Sequence, residues 1–563
     1  MKFSEFKYER LTIEEIAKEM TSLISELKDA NDVHSFMKAF DKTNKYRSHI
    51  QTMATLCSIR HSINIADKFY EDEQNYWDNT QPLIQQYEVE FAKTCLDCQF
   101  KEQLPIPSVF FKLAENSLKC FDPSVIEELQ EENRLASEYG KLKASAKIEF
   151  NGEIYNLASI APFTMSNDRE VRKKAFTAAT KFYEDNEDKF DDIYDGLVKV
   201  RDKIAKKLGY KNFTELGYIR MNRLDYNEEM VANYRKEVLK YVTPIVTKIH
   251  AKQQKRIGVD KLEAYDKAYV FKTGNPVPKG KEPELVKAAS QMYKEMSKET
   301  DDFFTMMCES ELFDLTTKPN KEMGGYTTDI LDYKVPFIFS NFNGTSGDVD
   351  VLTHEAGHAF QAFMTAKTTS IPDVAFPTYE SCEIHSMSME FFAHPWMELF
   401  FKEDTEKYYY LHIASTLDFL PYGVLVDHFQ HEVYNHPEMS KDERKATWRK
   451  LEKMYIPEAN YDGFPILEKG GYFYRQGHIF ESPFYYIDYT LAQVCALQFF
   501  KRMIDKDETA WKDYLHLCSL GGTLSFVSLV KEAHLISPFE NDCLKDVAIT
   551  MEKELDKIDD TNL

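Results

Sequence analysis

The sequence predicts a mainly α protein, a large helical body that carries a small β-sheet. From about residue 13 to 240, apolar residues recur at the spacing of amphipathic helices, as in IEEIAKEMTSLISELKDA. Only two segments show the pattern of strands instead. Hydrophobic residues make up 43% and charged residues 29% of the 563 positions, which is the balance of a folded globular protein.

The first strand-like segment is AKIEFNGEIYNLASI, residues 146–160. Alternating side chains flank Asn151-Gly152, the dipeptide most typical of a two-residue hairpin turn, so we expect a β-hairpin near residues 147–156. The second segment, residues 327–348, is rich in β-branched and aromatic residues and ends in a Gly and Ser cluster. Within it, residues 336–344 could bind an extended peptide as an added strand, or could form an ordinary buried strand.

Charge and hydropathy exclude several classes of protein. The formal net charge of −23 disfavours nucleic acid and anionic lipid as partners, because like charges repel. No apolar run approaches the roughly 18 residues that a membrane helix needs, and the charged start does not resemble a signal peptide. The nine cysteines, an odd number with one C-x-x-C at Cys95 and Cys98, fit reduced thiols. We therefore expect a cytoplasmic protein.

The motif His354-Glu355-Ala356-Gly357-His358 places two histidines four residues apart. On a helix, this spacing puts both imidazoles on one face, one turn apart, where they can bind the same metal ion. The apolar residues around the motif share an arc roughly 100° wide on the opposite side; they are Leu352, Ala356, Ala359, Phe360 and Phe363. A catalytic zinc site has three protein ligands and an open position, so a third ligand must come from elsewhere in the chain.

Acidic candidates for the third ligand follow in FPTYESCEIHSMSMEFF, which reads as a second helix with Pro377 near its start and Pro395 beyond its end. This helix offers Glu380, Glu383 and Glu390, and the last two share a face. Spacing alone does not separate Glu380 from Glu383.

These two segments resemble the thimet oligopeptidase and oligoendopeptidase F family of zinc peptidases, and the chain length and opening sequence resemble its bacterial, Pz-peptidase-like branch. In that family, H-E-x-G-H is followed 25 residues after its second histidine by a glutamate ligand in the pattern E-x-x-S-x-x-x-E, which Glu383 to Glu390 reproduces. The resemblance implies one Zn²⁺ per chain, bound by His354, His358 and Glu383. Glu390 would then hold a ligand histidine through its free ring N–H.

The resemblance continues in KGGYFYRQGHIFESPFYYIDYTLAQ, which is similar to the family segment that overhangs the zinc cleft and contacts substrate. Matching it implies catalytic roles for His478, Tyr486 and Tyr489, with Tyr485 replacing Tyr486 if the alignment shifts by one residue. The family fold implies a two-lobed helical body around a deep cleft. We expect a helical N-terminal lobe at residues 1–200, with the hairpin, and a catalytic lobe at 201–563.

The resulting hypothesis is a zinc-dependent endopeptidase that hydrolyses internal bonds of short oligopeptides, with Glu355 as the base that activates water. Two other classes of peptidase with an HExxH motif do not fit this sequence, because the residue that would be their third metal ligand is missing. A metzincin needs histidine where Met364 stands, and an aminopeptidase of the H-E-x-x-H-(18 residues)-E type needs glutamate where Pro377 stands. The alternative hypothesis is a non-catalytic, zinc-containing peptide-binding protein. The sequence does not indicate the oligomeric state.

Overall fold

The computed structural model describes residues 1–561 and 563, and it confirms the mainly α prediction. Helices occupy nearly all of the chain before the central sheet. They are α1 (Ile13–Lys28), α2 (Val33–Ile63), α3 (Lys68–Leu96), α4 (Ser108–Cys120), α5 (Ile126–Ala144), α6 (Ala161–Thr164), α7 (Arg169–Asp185), α8 (Glu187–Lys207), α9 (Phe213–Arg220), α10 (Glu228–Glu237), α11 (Thr243–Ile257), α12 (Glu282–Met296) and α13 (Lys298–Glu309).

The start of α1 shows how local sequence sets these elements. The Thr12 hydroxyl accepts the Glu15 N–H at 3.3 Å, and the Glu15 carboxylate accepts the Thr12 N–H at 2.9 Å. This reciprocal pair satisfies two backbone donors that a helix N-terminus leaves without partners. The buried residues of α1 then follow at helical spacing along one face; they are Ile16, Met20, Leu23, Ile24 and Leu27.

The predicted hairpin is confirmed. Strands β1 (Ile148–Phe150) and β2 (Glu153–Tyr155) pair antiparallel across a two-residue turn. Both turn residues have positive φ, 52° at Asn151 and 85° at Gly152, which is the backbone of a type I′ turn.

The central sheet has three strands, β3 (Phe313–Thr316), β4 (Tyr326–Ile330) and β5 (Val335–Phe342), in the order β3-β5-β4. Strand β5 runs parallel to β3 and antiparallel to β4. The hypothesis that residues 336–344 accept a peptide as an added strand is therefore wrong, because neighbouring strands already pair with both edges of β5. A further strand could join this sheet only at β3 or β4.

The chain after the sheet is again helical. Within the described residues, no helix combines the length and the apolar composition that crossing a bilayer requires. The remaining helices are α14 (Gly347–Thr365), α15 (Pro372–Ala375), α16 (Tyr379–Phe392), α17 (Glu398–Phe401), α18 (Thr405–Asn435), α19 (Lys441–Tyr455), α20 (Pro465–Glu468), α21 (Gly477–Glu481), α22 (Tyr486–Ile504), α23 (Ala510–Leu520), α24 (Phe526–Glu532) and α25 (Cys543–Asp556).

Helix α16 packs between α14 and α22, and the contact with α14 is unusually close at Gly357. A Cβ atom on Gly357 would lie 2.6 Å from the Cα of Ser386 and 2.7 Å from the carbonyl oxygen of His385. Both are backbone atoms of α16, so they cannot move aside without moving the helix. The glycine of the HEAGH motif thus sets the separation of the two helices that carry the candidate metal ligands.

Gly357→Ala should therefore destabilise the protein although alanine favours helices. We expect a net loss of about 1–3 kcal/mol, the usual range for overpacking, with a lower zinc content because the ligands move apart. Thermal melting and metal analysis measure both effects. The matched control is Gly347→Ala in the same helix, where the nearest side-chain atom lies at an ordinary 3.4 Å. Equal melting temperatures for the two variants would contradict the steric argument.

Candidate metal and catalytic site

The turn that precedes helix α14 is fixed by Asp348, the second residue of the helix. The Asp348 carboxylate accepts the backbone N–H groups of Asn343 and Gly344, each at 2.8 Å. Burial raises the pKa of this carboxyl to about 6, although the two backbone hydrogen bonds oppose the shift. These bonds join the end of β5 to the start of α14, so the sheet and the motif helix are held in a fixed relation.

The two motif histidines and Glu383 converge on one point. The Nε2 atoms of His354 and His358 lie 3.2 and 3.3 Å from Oε2 of Glu383. One ligand atom from each residue lies within 4.8 Å of the others. Burial raises the pKa of Glu383, but the two imidazoles outweigh this and hold it well below its usual range. Glu383 is therefore an anionic oxygen donor that faces two imidazole nitrogens.

The carboxylate of Glu383 is held on both of its oxygens. Ser386, three residues later on α16, donates its hydroxyl to Oε2 at 2.8 Å. The hydroxyl of Tyr485, the residue just before α22, donates to Oε1. The serine of the E-x-x-S pattern thus supports Glu383 from within the same helix, and Tyr485 supports it from a distant part of the chain.

Glu390, which follows Glu383 by seven residues on α16, lies behind His354. Its Oε1 lies 2.7 Å from Nδ1 of His354, and its Oε2 lies 2.8 Å from Nε2 of His412. His412 in turn bonds through Nδ1 to Nε2 of His394, also at 2.8 Å. All four side chains are largely buried. Because the carboxylate accepts the Nδ1 proton of His354, the lone pair of His354 lies on Nε2, toward Glu383.

This donor set fits a zinc ion. Two imidazole nitrogens and one carboxylate oxygen are the ligands that catalytic zinc prefers, and three protein ligands leave a position open. The tautomer of His354 presents its lone pair to the point where the three atoms meet. His354, His358 and Glu383 are thus the residues that could hold the ion.

Glu355 lies beside this cluster with only 6% of its surface exposed. The Thr327 hydroxyl, on β4, lies 2.7 Å from Oε2 of Glu355. The other oxygen faces Gly325, where a Cβ atom would come within 3.3 Å of it. Burial raises the pKa of Glu355 above its usual range, although the two motif histidines oppose the shift. A carboxylate with a raised pKa is suited to accept and return a proton.

Glu380, the other candidate ligand, points elsewhere. Its carboxyl accepts the Thr378 hydroxyl at 3.0 Å and is not one of the converging atoms. Burial and the nearby charge of Asp488 raise its pKa well above the usual range. The structure thus brings together Glu383, and not Glu380, with the two histidines.

His478 and Tyr489 of α22 belong to one hydrogen-bonded group. Tyr422 donates its hydroxyl to Oε1 of Gln476 at 3.0 Å, so the amide nitrogen of Gln476 faces Nδ1 of His478, 2.7 Å away. The proton of His478 is then on Nε2, which lies 3.0 Å from the Tyr489 hydroxyl oxygen. Burial lowers the pKa of His478 to about 4, so its imidazole is neutral near pH 7.

Tyr485 and Tyr486 differ in what they contact. Tyr485 bonds to Glu383 and stacks on Tyr489, with ring centroids 4.8 Å apart. Tyr486 packs its ring against His478 at 5.0 Å and against Tyr422 at 5.8 Å. The structure therefore brings His478, Tyr486 and Tyr489 together and adds Tyr485 as the tyrosine that touches the metal-ligand cluster.

The turn before α22 contains a residue with a strained backbone, Phe484, and this turn sets the orientation of the tyrosines that follow it. Phe484 has φ 69°, in the left-handed region that costs a non-glycine residue roughly 1–2 kcal/mol. Its N–H donates to Oε1 of Gln430 at 2.7 Å, and its carbonyl accepts from Arg223. The Phe484 ring packs where a side chain on Gly217 would stand, with a Cβ atom there 2.5 Å from Cδ2. The surrounding helices hold the strained turn in place.

Sequence reasoning missed Thr327, His412 and Gln476. Thr327 contacts Glu355 from another element, and Gln476 contacts His478, two residues later in the chain. Neither threonine nor glutamine is a residue type that indicates a metal site or a catalytic role. His412 had a weak signal, because a histidine on an apolar helix near a carboxylate is a common supporting partner.

Replacement of Glu390 tests the support behind His354. In Glu390→Gln, an NH2 group replaces one of the two carboxylate oxygens and faces the ring N–H of either His354 or His412. Two donors then face each other, so the His354 tautomer is no longer fixed. We expect zinc affinity to fall about 10- to 100-fold, measured by competition with a chromogenic chelator. The exposed Glu398→Gln is the control. An unchanged zinc Kd would show that Glu390 does not orient the ligand.

Comparison with known proteins places the chain among peptidases. The profile of "Peptidase family M3" matches residues 163–549, and that of "Peptidase M3 N-terminal domain" matches residues 3–121. An "Oligoendopeptidase F homolog" from Borreliella burgdorferi is 23% identical over 371 residues, which are 64% of this chain and 61% of the relative. The match thus spans about three-fifths of that relative's length.

Solved structures match the chain from end to end. The structure described as "PZ PEPTIDASE A with inhibitor 2" is 50% identical, covers 100% of both chains and has a TM-score of 0.98. A putative oligoendopeptidase F from Bacillus anthracis is 49% identical, covers 100% of this chain and 99% of its own, and has a TM-score of 0.94.

Proposed function

The chain belongs to peptidase family M3, and from this premise we propose that it is a zinc-dependent endopeptidase that hydrolyses internal bonds of short oligopeptides. One observation carries the proposal. Two imidazole nitrogens and the Glu383 carboxylate converge on a point beside a buried glutamate, Glu355. This is the arrangement that metal-assisted hydrolysis of an amide requires.

A bound zinc ion supplies a Lewis acid, which makes water acidic enough to ionise near neutral pH and polarises the carbonyl under attack. His354, His358 and Glu383 would hold this ion, one per chain. Glu355 accepts the proton of the attacking water, because its pKa is raised by burial and it lies next to a ligand histidine on the same helix. It then delivers this proton to the departing amine. Thr327 keeps the carboxylate aimed during both transfers.

The neutral His478 and the tyrosines of α22 stabilise the oxyanion that attack creates. His478 donates from Nε2 to the oxygen of Tyr489, which leaves the Tyr489 proton free to point at a substrate oxygen. Donors fixed before the reaction stabilise developing charge without reorganisation. Tyr486 packs against the His478 ring and contacts the substrate from the same side.

Burial of the site supports short peptides as the substrate class. Glu383 and Glu355 are 1% and 6% exposed, so a folded protein cannot present a backbone bond to them. An extended chain is narrow enough to enter. The test is mass spectrometry of short synthetic peptides and of a stably folded protein after incubation with the zinc-loaded chain. We expect products cut at internal peptide bonds and an intact folded protein. Release of terminal residues alone, or no cleavage, would contradict the proposal.

Tyr489→Phe should lower kcat about 10²- to 10³-fold with little change in KM, because the lost hydroxyl acts on the oxyanion and not on the ground state. Steady-state hydrolysis of a quenched fluorescent peptide gives both constants. Tyr155→Phe is the control, since its hydroxyl bonds to Glu153 on the exposed hairpin. If kcat is unchanged in Tyr489→Phe, this tyrosine is not an oxyanion donor.

The cysteines support a reducing compartment, and we place the protein in the cytoplasm. The nine cysteines are an odd number, and Cys95 and Cys98 stand three positions apart. In an oxidising compartment such neighbouring thiols would tend to form disulfides.

A further inference from the structure

A cavity of about 540 Å³ adjoins the candidate site. Tyr422 lines it and bonds to Gln476, which in turn bonds to His478. Met323 also lines it, two residues before Gly325, which faces Glu355. The cavity is thus connected, through the hydrogen bonds of Tyr422 and Gln476, to His478, one of the groups proposed to act on the substrate.

Each acidic residue that lines this cavity already bonds to another protein group. Asp418 pairs with His250 at 3.1 Å, and Glu458 pairs with the other nitrogen of the same ring. Glu452 pairs with Arg449 at 2.9 Å and accepts the Tyr461 hydroxyl at 2.7 Å. The fourth acid, Glu263, accepts from Asn460.

Two cations that line the cavity, Lys143 and Arg475, form no ion pair within the part of the chain that the structure describes. Lys143 donates to the backbone carbonyl of Arg475 at 3.1 Å. Burial lowers the pKa of Lys143, and the charge of Glu481 only partly opposes this. Burial also raises the pKa of Glu481 to about 7, so Glu481 carries only a partial charge near neutral pH. Lys143 lies close enough to His478 for its charge to help lower the His478 pKa.

Arg475 is held in a fixed orientation without a carboxylate. Its guanidinium lies over the rings of Tyr472, Tyr183 and Phe176, 5.0 to 5.4 Å from their centroids. One nitrogen donates to the Thr180 hydroxyl at 3.0 Å, and the buried Nε has no hydrogen-bond partner among the described residues. A guanidinium fixed by aromatic faces, with a donor left over, is prepared to bind a planar anion.

We infer that Lys143 and Arg475 bind a carboxylate group of the peptide substrate in this cavity. The inference rests on the proposed function and specifies its substrate class. Paired N–H donors of an arginine match the two oxygens of a carboxylate, and a neighbouring ammonium adds charge. The carboxylate can be the C-terminal α-carboxylate, which every unmodified peptide carries, or an acidic side chain. A bound terminus would also favour short chains, because it fixes how far the cleaved bond lies from the end.

The test measures binding to the zinc-loaded Glu355→Gln chain, so that cleavage does not intervene. A fluorescent short peptide with one internal glutamate is compared with its C-terminal amide and with its Glu→Gln analogue. We expect one of the two neutral forms to bind about 10- to 100-fold more weakly, which identifies the source of the carboxylate. In chains that also carry Lys143→Gln or Arg475→Gln, the ratio between the dissociation constants of the neutral and the charged peptide should fall toward one. Lys147→Gln, exposed and four residues from Lys143, should keep it.

Equal affinity for all three peptides would overturn the inference, and so would a difference that persists in both cation variants. If Arg475→Gln does not fold, Lys143→Gln decides the result, because the Lys143 ammonium donates to one backbone carbonyl and lies over the ring of Tyr139, and both contacts tolerate a neutral side chain. The proposed function fails separately. The unmodified peptide carries both carboxylates, so the anion site cannot prevent its cleavage; if the zinc-loaded wild-type chain does not cleave it, this counts against the peptidase and not against the anion site.

Discussion

Glu355→Gln should lower kcat about 10²- to 10⁴-fold while the chain keeps its zinc. Glutamine has the shape of glutamate and can still accept the Thr327 hydroxyl, so the packing around it is retained. It cannot take a proton from water near neutral pH. Because Glu355 is not one of the three converging ligand atoms, its replacement leaves the metal site intact. Hydrolysis of a quenched fluorescent peptide, with zinc content measured on the same sample, tests this directly.

The control for Glu355→Gln is Glu149→Gln on β1, which removes a solvent-exposed carboxylate. Its activity should equal that of the wild-type chain. Undiminished cleavage by a zinc-loaded Glu355→Gln would remove Glu355 from the chemistry. A variant without zinc would instead assign Glu355 to the metal site.

Glu383→Ala should remove activity by removing the metal. The carboxylate is the only anionic ligand of the three, and its loss leaves two imidazoles to hold a divalent ion. Zinc affinity should fall by more than the about 10- to 100-fold expected for a supporting residue such as Glu390. Competition with a chelator measures the loss, and excess Zn²⁺ should not restore wild-type activity.

Glu380→Ala is the matched comparison, because it removes a buried glutamate from the same helix, one turn away. We expect Glu380→Ala to keep its zinc, and its melting temperature to equal that of Glu383→Ala when both are measured without metal. If Glu380→Ala lost zinc and Glu383→Ala retained it, the metal ligand would be Glu380 and not Glu383.

Local signals in the sequence predicted much of the architecture. The amphipathic spacing indicated the helical body, and Asn151-Gly152 marked a hairpin whose turn has the expected positive φ values. The four-residue spacing of His354 and His358 placed both on one helix face. The glycine between them is explained only by structure, since it brings α14 within contact of the α16 backbone.

Relations between distant segments could not be read from the sequence. Spacing left Glu380 and Glu383 equivalent, and the difference lies in how α16 is rotated against α14. The tyrosine that bonds to Glu383 is Tyr485, because Phe484 adopts a left-handed conformation held by Gln430 and Arg223. The central position of β5 depends on strand pairing across intervening loops, which its composition does not encode.

The most direct test of the central claim is a zinc titration of the metal-free chain, followed by hydrolysis of a quenched fluorescent peptide. The account predicts no activity without metal and a linear rise with added Zn²⁺ that ends at one ion per chain. The same titration of Glu383→Ala should remain flat. Full activity in a chain shown to be free of metal would contradict the account.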